Sequence, residues 1–258
     1  MEKEKIKLED NDKKIERYIK IFFIIGFILI LFNQFQLMSI QNSNNNLQTI
    51  GATSVAIVEA SEVIPKGTPE IYGKELGVNY NDVSPNNPAL ADKTIAVLGN
   101  LDRTIILEGI NLDRYITITS QISCEYCCGA ESIIVRKEDV NNLNKKIEEA
   151  INDGKITREQ ADKYRTTAGN AACGCAHSYA MRGLAKYLVS EHGNEFTNEE
   201  VLEELGKWKT LFFPSQMSSK AQALKQAGIE FNYINLASNK YRGIETSSSP
   251  SSGMVGGC

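Results

Sequence analysis

No basic stripe and no arginine-rich arm runs along this chain, whose formal net charge is −4. That argues against nucleic acid as a partner. There is no internal repeat, so solenoid and propeller architectures are set aside. No Ser-His-Asp arrangement, no glycine-rich phosphate loop and no HExxH helix can be found, which removes the commonest hydrolase and nucleotide-binding chemistries. Cysteine is scarce, 6 of 258 residues, far below the density of a disulfide-stapled scaffold. Basic residues are missing altogether between positions 21 and 65. No twin-arginine signal, lipobox cysteine or close small-x-small cleavage site is present.

That basic-free interval contains a long apolar run, "IKIFFIIGFILILFNQFQLMSI" over 19–40, with one charge, Lys20. As a helix, its 22 residues reach about 33 Å, enough for a hydrocarbon core of about 30 Å. Before it, residues 1–20 carry seven Lys or Arg and six Asp or Glu. The positive-inside rule then leaves the N-terminus in the cytoplasm and everything after residue 40 outside. Beyond residue 20 remain 21 basic and 26 acidic residues, a net of −5, as suits a soluble outer domain. A signal peptide's apolar region and a buried core helix are the competing readings of 19–40.

The expected organisation is a charged cytoplasmic tail (1–18), a transmembrane anchor (19–40), a polar linker and extended segment (41–85), a Cys-rich helical domain (86–245) and a flexible tail (246–258). The fold class is mainly α, with a few short strands, after one N-terminal transmembrane helix. "NPALADKTIAVLG" predicts a helix stopping at Gly99, and "RTIILEG" and "ESIIVRK" short strands. Leu112, Tyr115, Ile116, Thr119 and Ile122 recur with a helical period, so a helix is expected to run from 111 to Gly129. Strand is the alternative for "YITIT". "EDVNNLNKKIEEAINDG" followed by the capping box "TREQ" predicts a polar helical hairpin over 138–165. "AHSYAMRGLAKYLVSEHG", "TNEE" with its following helix, and "SQMSSKAQALKQAG" complete the helical set. "TSSSPSSGMVGGC" offers nothing to bury and is expected to be mobile.

Against this background the cysteines stand out by clustering. "CEYCC" places Cys124, Cys127 and Cys128 together, and "CGCAH" places Cys173 and Cys175 two residues before His177. On the expected helix the first three thiols share one face at spacings of three and four. The second pair precedes a helix, where free N–H groups and the dipole favour thiolates. A cation between the two segments would satisfy both. C-x2-C plus C-x-C with a nearby imidazole suits a thiophilic ion, Cu(I) or Zn(II), and less well an iron–sulfur cluster. The expected ligands are Cys124, Cys127, Cys173 and Cys175, with Cys128 in reserve and His177 as a nitrogen donor. Disulfides are the alternative, the useful ones joining Cys124 or Cys127 to the 173–175 pair. Cys258 is read as a mobile thiol that carries metal or reducing equivalents to the main site.

The stretches "ISCEYCCGA", "CGCAHSYAMRGLAKYL", "GKWKTLFFP", "INLASNKYRGIE" and "MVGGC" resemble those of a group of uncharacterised prokaryotic membrane-anchored proteins, over roughly residues 60–258. The resemblance implies an anchored architecture and carries no activity.

Three functions are therefore expected, in order. The first is a membrane-anchored extracytoplasmic metal-binding protein that handles or stores a soft metal. The second is a thiol–disulfide oxidoreductase, which lacks a thioredoxin-like βαβ context. The third is a structural zinc domain displaying a protein-binding surface. Partners are the bilayer through 19–40 and a metal donor or another envelope protein. The topology makes an outcome checkable: reporter enzymes fused at residue 60 should be active only in forms that require export, and activity of a cytoplasm-dependent reporter there would overturn the orientation.

Overall fold

The computed structural model describes residues 60–245 and 254–256. The charged tail, the 19–40 run and residues 41–59 lie outside the described residues, as do 246–253 and Gly257–Cys258. Among the described residues no helix is long and apolar enough to cross a membrane.

The described part is helical, without a sheet. Its helices are α1 (Ala60–Val63), α2 (Gly73–Leu76), α3 (Pro88–Thr104), α4 (Gly109–Thr119), α5 (Lys137–Asn152), α6 (Arg158–Asp162), α7 (Ala176–Ser190), α8 (Asn198–Phe212), α9 (Pro214–Gln226) and α10 (Tyr233–Ala237). Extended pairing is limited to isolated bridges, Ile122 with Ser238, Cys124 with Ala130 and Ile134 with Ala171.

Helix α7 is the central element. Leu184, Ala185 and Leu188 are fully buried along it, and α3 lies directly against it. Glycine makes that crossing close: a Cβ on Gly183 would sit 2.0 Å from Leu98 O and 2.8 Å from Asp102 N. The α8 stripe of Val201, Leu205, Trp208 and Phe212 is likewise fully buried, as its helical period requires. Both capping boxes read from the sequence form: Thr157 exchanges bonds with Gln160, and Thr197 with Glu200. The segment before α3 is pinned to α8 by polar contacts. The hydroxyls of Tyr72 and Tyr80 donate to Glu204 Oε2, and Trp208 Nε1 donates to Tyr72 Oη at 2.7 Å.

Several expected elements differ. Helix α3 runs through Gly99 to Thr104: Gly99 keeps helical backbone, faces Tyr179 of α7 at ordinary contact distance, and is an interior position, not a stop. Residues 103–109 form no strand. The helix expected to reach Gly129 ends at Thr119. There Thr119 Oγ1 donates to Tyr115 O, and Ser120 Oγ and Gln121 Nε2 both donate to Thr117 O. Asn239 then captures the helix end, donating through Nδ2 to Ser120 O and through its backbone to Gln121 O. Side-chain competition of this kind is how Ser, Thr and Gln stop helices. The hairpin forms as α5 and α6, and its buried Ile147 and Ala161 lie outside the main core.

The tail also differs where it is described. Val255 is 2% exposed, and its N–H donates to Phe212 O at 2.9 Å. Gly256, at φ +82, lies so close to α3 that a Cβ there would meet Ile95 Cδ1 at 2.3 Å. One apolar side chain and one glycine therefore seat a stretch whose composition suggested nothing to bury.

The α3–α7 contact sets an expectation. Gly183→Ala should lower unfolding stability by about 2–3 kcal/mol through overpacking against backbone. Gly99→Ala, whose Cβ would meet Tyr179 Cβ at an ordinary 3.4 Å, should be neutral or gain up to about 1 kcal/mol from helix propensity. Urea melts of the two variants distinguish these outcomes.

Candidate metal centre

The first cysteine segment is a turn held at its base. Cys124 N donates to Ala130 O at 3.0 Å and Ile133 N to Ile122 O at 3.0 Å, while Gly129 turns the chain at φ +67. The second segment is brought alongside by the stem of the hairpin insertion. Val135 N donates to Asn170 O at 2.8 Å, Gly169 N to Val135 O at 2.9 Å and Ala172 N to Ile133 O at 3.2 Å. One backbone ladder thus runs from Cys124 through residues 133–135 to Ala172. The stretch between Cys128 and Cys173, a sequence separation of 45, is closed off at its base, and the two segments meet.

Four sulfurs converge there. One sulfur each from Cys124, Cys128, Cys173 and Cys175 lie within 4.8 Å of one another. Cys124 Sγ is the hub, at 3.2 Å from Cys173 Sγ, 3.4 Å from Cys128 Sγ and 3.7 Å from Cys175 Sγ. Cys128 and Cys173 are joined as a disulfide, with Cα atoms 6.3 Å apart. Cys124 and Cys173 are buried and Cys128 is exposed, so the cluster has one open edge.

The structure arranges the expected ligands differently. Cys124, Cys173 and Cys175 meet as expected. The fourth position belongs to Cys128, held in reserve by the sequence reading, and Cys127 lies outside the set of four. The reason is local: the three thiols sit on a turn, where helical spacings of three and four carry no common face. Cys127 is half-buried and hydrogen-bonds Cys175 from outside. The disulfide uses Cys128 in place of Cys124 or Cys127. His177 also stands outside the four. It is fully buried between Phe212 and Phe213, with ring centroids at 4.9 and 5.0 Å, and its Nε2 bonds Val255 O at 2.8 Å. A carbonyl only accepts, so that nitrogen carries a proton. Cys258 lies outside the described residues.

Cys175 occupies the cap position of α7, its sulfur accepting from Ser178 N at 3.3 Å. Its thiol is pulled down to about 4, first by the hydrogen bond from Cys124, with His177, Ser178 N–H and Cys127 adding to it against the cost of burial. Cys124 is pushed up by the same contact and by burial. The pair therefore holds a thiolate on Cys175 and the proton on Cys124.

Buried charges whose pairing cannot be read from the sequence adjoin the cluster. Lys209 and Lys220 are both 0% exposed. Lys209 Nζ donates to Ser123 Oγ at 3.0 Å, Glu125 Oε1 at 2.9 Å and Ala237 O at 3.1 Å, and Lys220 Nζ reaches the same Glu125 oxygen at 2.7 Å. On the other segment, Arg182 Nη1 donates to Cys173 O at 3.0 Å, Ile133 O at 3.2 Å and Ser178 Oγ at 2.7 Å. Its Nη2 pairs with Asp102 Oδ2 at 2.9 Å, and Lys186 pairs with Asp102 Oδ1 at 2.9 Å. The only sequence signal was indirect: Glu125 lies inside the cysteine motif, and Arg182 and Lys209 fall on helices whose neighbours are core residues.

Comparisons with family models, curated proteins and solved structures return no match. Function has to be argued from the site.

Burial alone would raise the Glu125 carboxyl, but Lys209 and Lys220 together hold it below the ordinary 4.5. Burial brings Lys209 down to about 8 despite Glu125. Glu125→Gln strands two buried ammoniums, so it should cost about 3–5 kcal/mol at pH 7. The folded carboxyl is more acidic than the unfolded one, so the unfolded chain takes up its proton first as pH drops. Glu125's contribution is thus complete above the unfolded value and is lost as pH falls through the folded value. The stability gap between parent and variant, from denaturant melts, should be widest near neutrality and should narrow steadily below about pH 4.5.

Proposed function

We propose that the protein binds one thiophilic metal ion, Zn(II) or Cu(I), through Cys124, Cys128, Cys173 and Cys175. In this reading it handles or stores that ion outside the cytoplasm, on a domain anchored by residues 19–40. The observation that carries the reading is the convergence of four sulfurs from two distant segments within 4.8 Å. With the Cys128–Cys173 bond reduced, that span accommodates the ligands of a single four-coordinate ion, whose metal–sulfur bonds are about 2.3 Å. Three of the sulfurs are held inside by packing, and the fourth, Cys128, lies at the open edge. An exposed ligand gives an incoming thiol donor a place to begin exchange, which fits handling better than a fully enclosed structural site.

A second reading has its own support. The Cys128–Cys173 disulfide has the Cys124 sulfur 3.2 Å from Cys173 Sγ, with the Cys175 thiolate adjacent. That is a dithiol–disulfide arrangement capable of exchange. Reduction of the bond would take two electrons and two protons from an external dithiol, and Cys128, being exposed, is the sulfur such a donor reaches.

Elemental analysis with thiol counting on the full chain separates the two. The metal reading expects one equivalent of metal and four thiols shielded from alkylation until the metal is stripped. Substituting Ser at any of positions 124, 128, 173 or 175 should weaken binding at least about tenfold, and loss of the ion should lower the melting temperature, because site energy is folding energy. Cys127→Ser should retain the ion. A metal-free protein with one titratable disulfide would overturn the metal reading in favour of exchange chemistry.

A further inference from the structure

Two buried charge networks adjoin the proposed metal site, and each has one more positive than negative group. In the first, the Lys209 and Lys220 ammoniums converge on a single oxygen of Glu125. In the second, Arg182 and Lys186 share Asp102. Their side chains are 0–1% exposed for Lys209, Lys220 and Arg182, 5–9% for the two carboxylates and 18% for Lys186. Neither network stands apart from the cysteines. Glu125 follows Cys124 in the chain, Lys209 is bonded to Ser123 just before it, and Arg182 is bonded to the carbonyl of Cys173. At the rim, Glu245, which accepts from the Tyr126 hydroxyl, and Arg242, which donates to Gly129 O, add one charge of each sign.

A buried ion pair needs one cation for each anion, and an unmatched buried cation is expensive. Two such cations bonded to the backbone and neighbours of a thiol cluster call for an anion there. Four thiolates around a divalent ion carry a net −2, and around a monovalent ion −3. The two networks supply +2. We propose that the site is matched by charge to a divalent thiophilic ion held by all four thiolates, of the Zn(II) class, and discriminates against Cu(I) in that geometry. A Cu(I) ion would leave one negative charge uncompensated, or would leave one cysteine protonated and outside the coordination sphere. This inference rests on the metal reading of the site and goes further by choosing the charge of the ion.

The test uses the reduced, metal-free full chain titrated with Zn(II) and, separately, with Cu(I), each against a competing chelator, with alkylation to count shielded thiols. One Zn(II) should shield four thiols, and one Cu(I) should leave at least one open. Lys220→Met removes a charge from one network and should weaken Zn(II) binding by at least about tenfold. Lys186→Met, at the most exposed cation of the two networks, should do the same from the second network. Adding Glu125→Gln to Lys220→Met returns the summed charge to +2 without restoring any lost contact, leaves Lys209 as the only cation of that network, and should bring Zn(II) affinity back to within about threefold of the parent. A role in packing alone would leave that double variant as weak as the single one or weaker, which would overturn the charge matching while leaving the four-thiolate site intact. Cu(I) shielding all four thiols would overturn it as well. A parent chain that binds neither ion would bring down the metal reading itself.

Discussion

The guanidinium of Arg182 is the point on which this structure turns. It is 1% exposed on the central helix, and its one Nη1 bonds the carbonyls of Ile133 and Cys173 and the hydroxyl of Ser178. Its other face pairs with Asp102 on α3. Four segments that are distant in sequence are therefore fixed by one planar group. These are the α3 end, the strand-like 133–135 piece, the second cysteine segment and the first turn of α7. A lysine could not hold this arrangement, because several fixed donors in one plane are the property of arginine. Gly183, the next residue, allows α3 to come close enough for Asp102 to reach the guanidinium.

The convergence of cysteines follows from that arrangement and from the stem of the insertion. Residues 133–135 and 169–172 pair through backbone bonds, so the hairpin between them can vary in length without moving Cys173 relative to Cys124. Its two buried residues, Ile147 and Ala161, contribute nothing to the main core. The site is thus assembled by short extended pieces too brief to count as strands, laid across the end of a helical bundle. Such pieces gain their stability from the helices beneath them, since isolated pairs of strands are marginal in water.

Much of the helical scaffold was legible in the sequence, because α7, α8 and α9 bury periodic apolar faces and α8 opens on a capping box that can be read directly. The cysteine segment was not. Leu112, Tyr115, Ile116 and Thr119 do lie on a helix, but the same period, continued to Ile122, runs past the point where Thr117, Thr119, Ser120 and Gln121 redirect their side chains to the backbone. That competition is visible only when Asn239, more than a hundred residues later, is in place to accept the released end. The choice of Cys128 over Cys127 as the fourth converging sulfur depends on the same turn. The second segment was easier, because a cap position before a helix dictates where a thiol points: Cys175 accepts from Ser178 N–H as a thiolate there should. The buried lysines were illegible for another reason. A lysine three or four residues from core positions on a helix reads as a solvated or snorkelling side chain, and only the tertiary fold reveals that Lys209 and Lys220 meet Glu125.

His177 shows how a residue of the right chemistry can be committed elsewhere. Its position two residues after Cys175 suits a nitrogen ligand, yet a ligating nitrogen must offer a bare lone pair. The Nε2 atom is occupied in donating to Val255 O, and Phe212 and Phe213 close over the ring. The ring also hydrogen-bonds Cys175. An imidazole that holds a carbonyl with one nitrogen and contacts a thiolate with the rest of the ring supports a sulfur ligand without replacing it, the role that outer partners play around metal centres. The same bond bears on the burial of Val255. Burying Val255 brings a backbone carbonyl into the core, and that carbonyl has to be satisfied. His177 is the donor that satisfies it, so one imidazole contributes both to the seating of Val255 and to the environment of Cys175.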